Sequence, residues 1–244
     1  MTHSATTAPA LAPRTPDRDE AAALHALLRQ SPARPVHLRD FFPLAAARRL
    51  AAAVRALPDW QVMPLLWLPD RSRTRPADAA EWSTASEGDR AAVRQVAVRI
   101  GEAFDDPDAL PAAGRTALQD LFVFAAMGPA LREHLSDWLA PETPFTTNVE
   151  FARYTTGDFL GEHSDTDSDT SFVLNLYLDE QYRPEDGGAL GFRAESGTEH
   201  SIEPVFNSVS FMPIREGAVH WVTPWLAQRT GRFTVSIAAV PVAA

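Results

Sequence analysis

Two histidines and an aspartate in the C-terminal part of the chain have the spacing of a metal site. His163 and Asp165 are separated by one serine, and His220 follows much further along the chain. In an extended segment, residues i and i+2 lie on the same side, so an imidazole and a carboxylate can bind one ion. Two histidines and one carboxylate suit non-haem Fe(II) and leave coordination positions open. The three residues therefore predict an iron site that can also take a bidentate oxoacid and dioxygen.

The alternative is a chance pairing, because a lone histidine on a strand more often packs in a core or lies at the surface. Among the other histidines, only His200 lies in the β-rich part of the chain, and no arginine follows it at a useful spacing. The remaining histidines precede that part: His3, His25, His37 and His134.

An arginine near the C-terminus could hold the oxoacid. Arg232 begins the last predicted strand and shares a face with Thr234 and Ser236. A buried arginine is costly unless it is paired with an anion, and an arginine fork with a nearby hydroxyl grips a carboxylate strongly. We therefore expect Arg232 and Thr234 to bind a dicarboxylate. Two alternatives stay open: Arg232 on the surface of an edge strand, or Arg229 in the same role.

Polar residues on other predicted strands would face the same pocket. In residues 171–178, Val173, Asn175 and Tyr177 alternate with leucines. The leucine face is typical of a core, so Asn175 and Tyr177 should point into the pocket, where buried polar groups need partners. Tyr154 has a similar position on the preceding strand. Each of these residues is equally well explained as a half-buried polar residue of a strand.

A β-rich scaffold must position these side chains. Short runs with alternating apolar residues follow residue 147, separated by turn signals at glycines. Strands at this spacing predict a jelly roll, that is, a cupin-like double-stranded β-helix, with its core mainly at residues 145–241. The predicted strands are residues 148–155, 171–178, 189–194, 201–205, 207–212, 218–223 and 232–240.

Residues 17–140 are predicted to form mainly helices that pack on one face of the β core. The predicted fold class is therefore mainly β with N-terminal helices (α+β), with one domain over residues 17–244. Residues 1–16 are rich in alanine and proline, which predicts a disordered tail. The predicted helices are residues 17–28, 44–57, 86–104 and 112–139, with a strand at Trp60–Trp67 and a polar loop at residues 69–80.

Composition excludes several classes of function. The formal net charge of -10 argues against a surface that binds nucleic acid. No apolar run approaches the roughly 20 residues that span a bilayer, and the N-terminus lacks a signal-peptide pattern, so a cytoplasmic location is expected. The chain has no cysteine, which excludes thiolate ligands and disulfides. It has no lysine either, so a cation that binds a carboxylate must be an arginine. The sequence does not indicate an oligomeric state.

Residues 147–240 resemble the prolyl-4-hydroxylase-like branch of the Fe(II)/2-oxoglutarate-dependent oxygenases. The chain departs from the commonest pattern at Asp179-Glu180, where Leu-Asn is frequent, and in a slightly long interval between His220 and Arg232. The matching motifs run in the order of that family: Arg153-Tyr154-x-x-Gly157, His163-x-Asp165, Leu176-Tyr177-Leu178-Asp179, Gly187-Gly188-x-Leu190, Ile202-Glu203-Pro204, Val209-x-Phe211, His220-x-Val222-x-Pro224 and Arg232-x-Thr234.

The resemblance implies an enzyme and a role for each matching position. The iron ligands would be His163, Asp165 and His220, and the co-substrates would be 2-oxoglutarate and dioxygen. Halogenases of this kind replace the carboxylate ligand by Gly or Ala, so Asp165 implies hydroxylation or another oxidation. Arg232 would bind the distal carboxylate of 2-oxoglutarate. The other residues around the co-substrate would be Thr234, Tyr177, Asn175 and Tyr154.

The substrate is predicted less directly. The chain is small and carries no recognition domain, which favours a small molecule such as an amino acid or a natural-product intermediate. Asp167 and Asp169 follow the metal motif and would favour an amine, although a solvated acidic loop explains them as well. Two alternatives from other classes stay open: hydroxylation of a protein side chain, as in a prolyl hydroxylase, and a non-catalytic cupin-like binding protein.

Overall fold

The computed structural model describes residues 11–15, 17–22, 35–71, 73–98, 100–106, 108–126, 131, 145–166 and 172–241. Most of the predicted N-terminal tail therefore lies outside the described residues. The strands are β1 (Val36–Leu38), β2 (Trp60–Trp67), β3 (Thr74–Pro76), β4 (Arg90–Ala97), β5 (Phe145–Tyr154), β6 (Phe159–His163), β7 (Phe172–Tyr177), β8 (Leu190–Arg193), β9 (Glu199–Ile202), β10 (Ser208–Pro213), β11 (Val219–Val222) and β12 (Gly231–Pro241).

These strands pair antiparallel into one continuous sheet. Their order is β1-β10-β7-β12-β5-β4-β6-β11-β8-β9, with β2 and β3 attached beside β4. Strand β4 joins the two parts, because it pairs with β5 at Gln95 and Val96 and with β6 at Ala92 and Val93. The sheet closes into a nearly complete barrel, which confirms the predicted jelly roll.

The two faces of the barrel wall differ as strand alternation requires. On the outer face, Leu174 of β7 and Val235 of β12 are fully buried in the main apolar core. On the inner face of the same strands, Asn175 and Ser236 line a cavity. The faces predicted for β7 and β12 are therefore confirmed.

Helices cover the outer face of the barrel. Leu50 of the first long helix and Leu118 of the second pack into the same core as the outer residues of β7 and β12. A proline precedes each of these two helices, where its missing N–H has no cost. The helices are α1 (Leu44–Arg55), α2 (Ala79–Thr84), α3 (Glu102–Asp105) and α4 (Ala112–Ala125).

The helix predicted for residues 86–104 is wrong. Residues Arg90–Ala97 form β4, and the described remainder contains a 3-10 turn at Glu87–Asp89 and the start of the short helix α3. Alanine and arginine favour helices, but pairing with β2, β5 and β6 and the burial of Ala92 and Val96 override that propensity. The predicted polar loop likewise contains β3. The segment from residue 60 to 97 is thus a β extension of the barrel within the region predicted as helical support.

The other N-terminal predictions are partly confirmed and partly untested. The strand at Trp60–Trp67 is confirmed, and residues 18–22 are helical within the predicted helix 17–28. Residues 127–130 and 132–139, where the last predicted helix would continue, lie outside the described residues. The extent of a single domain over residues 17–244 stays a prediction. Among the described residues, no helix has the length and apolar character needed to cross a membrane.

A buried asparagine fastens the segment ahead of α1 to the barrel. Asn207, in the turn before β10, has a left-handed φ of 58°, which asparagine tolerates better than most residues. Its side chain accepts a hydrogen bond from the Phe42 N–H at 3.0 Å and donates one to the Phe42 carbonyl at 2.8 Å. This pair of bonds satisfies both backbone groups of a residue that packs in the core.

We predict that His37 makes the protein less stable in mild acid. Its Nε2 lies 2.8 Å from Ser208 Oγ, whose own proton goes to the Val205 carbonyl, so His37 donates this bond in the neutral form. Burial, aided by the charge of Arg39, lowers its pKa from 6.5 to about 4. The unfolded chain therefore takes up the proton first, and stability present above pH 6.5 is lost as the pH falls towards 4.

Urea unfolding at pH 7 and pH 5 measures this effect. The loss assigned to His37 should be about 1–2 kcal/mol, and His37→Gln should remove it from the difference between the two pH values. His200→Gln, on a partly exposed strand, is the matched control and should leave the difference unchanged. An equal loss in wild type and His37→Gln would contradict the assignment.

Candidate metal and co-substrate site

The cavity inside the barrel has a volume of about 1020 Å³. We call it the barrel cavity. One wall comes from β5, β7 and β12, and the facing wall comes from β6, β8 and β11. All three predicted iron ligands line it, as do Arg232 and Thr234. The predicted metal and dicarboxylate residues therefore line the same cavity.

Strand pairing brings the two histidines together. His163 at the end of β6 lies directly opposite His220 of β11 in the antiparallel ladder. Their ring centroids are 4.0 Å apart. Asp165 follows just after β6, with one carboxylate oxygen 3.7 Å from His163 Nε2 and the other 3.4 Å from His220 Nε2. Ligand atoms of all three residues lie within 4.8 Å of one another, which is the convergence that a single metal ion needs.

The protonation states suit a metal centre. His163 Nδ1 is 2.9 Å from the Gly161 carbonyl, which leaves Nε2 facing Asp165. Burial, aided by the charge of His220, lowers the pKa of His163 to about 4, so its imidazole is neutral at neutral pH. Burial alone would raise the pKa of Asp165, but its interactions with His220 and His163 outweigh burial and lower it. Two imidazoles and a carboxylate are the donor set expected for non-haem Fe(II).

The strand that carries His220 is fixed from outside the cavity. Trp221, the next residue, points to the other face and covers Gly191 of β8. A Cβ at Gly191 would lie 2.0 Å from the indole, so only glycine leaves room for this contact. The close packing holds β11 against β8 and limits the movement of His220.

Arg232 is a buried cation at the edge of the cavity. It is 3% exposed, and it has a left-handed φ of 45° at the start of β12. Its Nε donates to the Gly188 carbonyl at 2.6 Å, and its Nη1 donates to Thr234 Oγ1 at 3.1 Å. The guanidinium lies 4.7 Å above the Tyr154 ring. Among the described residues its side chain contacts no carboxylate, and a buried guanidinium without one favours binding of an anion.

Arg229 has a different environment. Its guanidinium forms ion pairs with Asp179 at 2.7 Å and Asp186 at 2.6 Å, and it stacks on Trp225 at 5.0 Å. It does not line the barrel cavity. Asp179 also accepts a hydrogen bond from the Arg232 backbone N–H at 3.0 Å. The sequence alone does not choose between Arg229 and Arg232 as the residue that binds the dicarboxylate. The geometry favours Arg232, and Arg229 supports the Arg232 backbone through Asp179.

The other predicted co-substrate residues are divided between the cavity and its wall. Tyr154, Asn175 and Thr234 line the cavity. The Thr234 hydroxyl donates its proton to the Arg232 carbonyl at 3.1 Å. Tyr177 is fully buried beside the cavity, with its hydroxyl 2.9 Å from Ser210 Oγ, and does not line it.

Sequence reasoning missed several charged residues of the cavity, and two of them form an ion pair. Arg94 of β4 and Glu150 of β5 both line the cavity and form a bidentate ion pair. Arg94 was hidden because its segment was predicted as a helix; Glu150 could have been found from the alternation of β5.

The predicted amine-binding residues, Asp167 and Asp169, lie outside the described residues.

Residues 149–237 match the family model of the 2OG-Fe(II) oxygenase superfamily. This stretch is the domain of a 2-oxoglutarate-dependent non-haem iron dioxygenase. Fe(II), 2-oxoglutarate and dioxygen are accordingly its metal and co-substrates. The match confirms the resemblance seen in the sequence and decides against a non-catalytic cupin-like protein. No curated protein sequence matches the chain.

Solved structures share the fold. A prolyl-4-hydroxylase from Pseudomonas putida is 22% identical, with a TM-score of 0.57 over 89% of this chain and 98% of the other. A prolyl hydroxylase from Trichoplax adhaerens, solved with a peptide fragment of hypoxia inducible factor, is 13% identical, with a TM-score of 0.60 over 91% and 90%. A non-haem alpha-ketoglutarate-dependent epimerase from nogalamycin biosynthesis is also 13% identical, with a TM-score of 0.58 over 92% and 84%. These similarities place the described chain in the same fold.

We predict that His220→Ala abolishes stoichiometric binding of Fe(II). Removing one of three ligands that converge on one point leaves too few donors to hold the ion. Metal analysis by mass spectrometry should show close to one iron per chain in the wild type and a severe loss in the variant. His200→Ala is the matched control, because it removes a histidine of β9 that does not line the cavity. Unchanged iron content in His220→Ala would show that the ligand assignment is wrong.

Proposed function

We propose that the protein hydroxylates a C–H bond of a small molecule, an amino acid or a natural-product intermediate. The observation that carries the proposal is one cavity with a two-histidine, one-aspartate cluster and a buried arginine that contacts no carboxylate. In the overall reaction, substrate, 2-oxoglutarate and O2 give hydroxylated product, succinate and CO2. One oxygen atom enters the product and the other enters succinate, so the reaction balances.

His163, Asp165 and His220 are the proposed holders of Fe(II). When bound, the metal couples decarboxylation of 2-oxoglutarate to oxidation of the substrate C–H bond. The protein's own groups prepare the site: the Gly161 carbonyl orients the His163 ring, and strand pairing sets the separation of the two imidazoles.

Arg232 is the proposed anchor for the distal carboxylate of 2-oxoglutarate. Its Nη2 forms no hydrogen bond within the described residues, and its Nε is held by the Gly188 carbonyl, so the fork is oriented before the anion arrives. Tyr154 lies beneath the guanidinium and Thr234 lies beside it. In this proposal, Asn175 lines the cavity wall and Tyr177 supports that wall from behind.

The carboxylate of Asp165 favours hydroxylation over halogenation. Its two oxygens lie 3.7 Å and 3.4 Å from the imidazole nitrogens of His163 and His220, at the position where a halide would otherwise bind. A carboxylate there leaves open positions for the oxoacid and for dioxygen. Transfer of oxygen is therefore the proposed outcome.

A second candidate is hydroxylation of a protein side chain. Two of the solved structures with this fold are prolyl hydroxylases, one of them in complex with a peptide fragment. The cavity volume, near the upper end for small-molecule sites, supports a free small molecule that binds together with 2-oxoglutarate. The amine preference that Asp167 and Asp169 suggest stays a prediction.

We predict that Arg232→Ala raises the KM for 2-oxoglutarate strongly. Removing a charge-assisted contact to a carboxylate costs on the order of 2–5 kcal/mol of binding free energy. Arg229→Ala, the matched control, should chiefly lower the unfolding temperature, because it leaves Asp179 and Asp186 without their shared cation. Steady-state kinetics and thermal unfolding with and without 2-oxoglutarate separate the two effects. The reverse pattern would transfer the anchoring role to Arg229.

We predict a product that gains oxygen and no halogen. Purified protein with Fe(II), 2-oxoglutarate and O2 can be screened against free amino acids, their derivatives and short proline-containing peptides, in high chloride. Succinate release and product mass are the measurements. A gain of one oxygen atom on a small molecule supports the proposal. Turnover confined to peptides would favour the second candidate, and a chlorinated product would refute the assignment of Asp165.

A further inference from the structure

Two charged residues face the inside of the barrel on strands that carry no metal ligand. Arg94 of β4 shares its face with Ala92 and Val96, and all three line the cavity. Glu150 of β5 lies on the same inner face as Ala152, its neighbour two residues along the strand. The Arg94 side chain reaches past Ala152 to Glu150, so the pair lies along the cavity wall.

The contact between them uses only part of each group. Arg94 Nε and Nη2 donate to the two carboxylate oxygens at 2.9–3.1 Å. Arg94 Nη1 makes no hydrogen bond within the described residues, and the side chain is 16% exposed. The Glu150 side chain is 46% exposed, so its carboxylate keeps free acceptor positions. The Arg94–Glu150 pair thus offers an unused donor and an unused acceptor side by side.

The fold does not require this pair. The residues beside Arg94 on the inner face of β4, Ala92 and Val96, are small or apolar, and an apolar residue in place of Arg94 would avoid the cost of partly removing a guanidinium from water. Burial would lower the pKa of Arg94, but the carboxylate of Glu150 outweighs burial and raises it, so the arginine stays charged. A charged pair kept at a cost inside a cavity indicates binding more than stability.

The pair and the metal cluster line the same cavity. Strand β4 pairs directly with β6, the strand that ends at His163. A molecule bound at the pair would therefore lie beside the metal cluster. The proposed 2-oxoglutarate anchor, Arg232, is on β12.

We propose that the Arg94–Glu150 pair binds the head group of a free α-amino acid. Arg94 Nη1 donates to the substrate carboxylate, and Glu150 accepts from the adjacent ammonium group. The inference rests on the proposed function, since it assigns the substrate class of the same cavity. It also excludes an internal residue of a polypeptide, which has neither group.

Amino acids in which the ammonium or the carboxylate is blocked, here called masked substrates, test the proposal directly. Succinate release is measured with the proteinogenic L-amino acids and with the N-acetyl and C-amide forms of each one that is turned over. The proposal expects turnover of at least one free amino acid and at least a ~10-fold loss of kcat/KM when either charge is removed, because the contact of that charge with Arg94 or Glu150 is then lost. Equal turnover of the masked forms, or turnover of peptides alone, would overturn it.

Variants of Arg94 and Glu150 distinguish a role of the pair in substrate recognition from a purely structural role. Arg94→Gln and Glu150→Gln should each raise the KM for the amino acid, by roughly 10- to 100-fold. Arg75→Gln is the matched control, because Arg75 forms a similar bidentate pair with Glu81 on the surface; it should leave that KM unchanged. The charge reversal Arg94→Glu with Glu150→Arg keeps an ion pair but exchanges the charges. A structural role predicts that the reversal restores the KM, and this result would overturn the proposal.

Failure of the head-group site can be told from failure of the proposed function. If the wild type consumes 2-oxoglutarate with other substrates but with no free amino acid, only the head-group site is overturned. If it consumes no 2-oxoglutarate at all, the proposed function fails. The head-group site is then decided by calorimetry of free and N-acetylated amino acids with the metal-free protein. Binding of the free form alone supports the site, and equal or absent binding overturns it.

Discussion

The alternation of side chains across the barrel wall is the constraint on which the rest of this structure depends. In β7 and β12 it sends leucine, valine and isoleucine outward to the helices and leaves Asn175, Thr234 and Ser236 facing the cavity. A shift of one residue in either strand would exchange the two sets. The apolar core thereby specifies the register, and the register places the polar side chains inside. Stability and chemistry are coupled through this single geometric rule.

A second dependence concerns Arg232, which combines burial, a left-handed backbone and a positive charge. Each is unfavourable alone, and the surroundings compensate for each. Asp179 accepts the backbone N–H, the Gly188 carbonyl accepts from Nε, and Tyr154 lies beneath the guanidinium. Gly188 must be small, because a Cβ there would lie 2.9 Å from the Arg232 side chain. The departure at Asp179 from the commonest family pattern thus has a physical role: it holds both Arg229 and the Arg232 backbone.

The sequence predicts those parts of the site whose geometry is local. His163 and Asp165 are separated by one residue at the end of β6, and the alternation of β12 orients Thr234. The failures come where tertiary contacts outweigh local preference. The segment around Arg94 is rich in alanine and arginine, and only its pairing with three other strands makes it β4. Arg229 and Arg232 could not be separated either, since the partners of Arg229 lie far away in the chain. Tyr177 faces the predicted side, but its hydroxyl is taken by Ser210, a partner that no local pattern reveals.

The position of β4 has a consequence for how such a protein can change over time. The two histidines of the proposed metal site belong to β6 and β11, Arg232 belongs to β12, and the Arg94–Glu150 pair belongs to β4 and β5. Substitutions on β4 and β5 can therefore alter the shape and charge of one wall while the histidines and Arg232 keep their own strands. A barrel divided in this way lets new specificities arise by mutation of a few inward-facing positions. Relatives with the same scaffold can then diverge in their substrates while inheriting an intact oxidising centre.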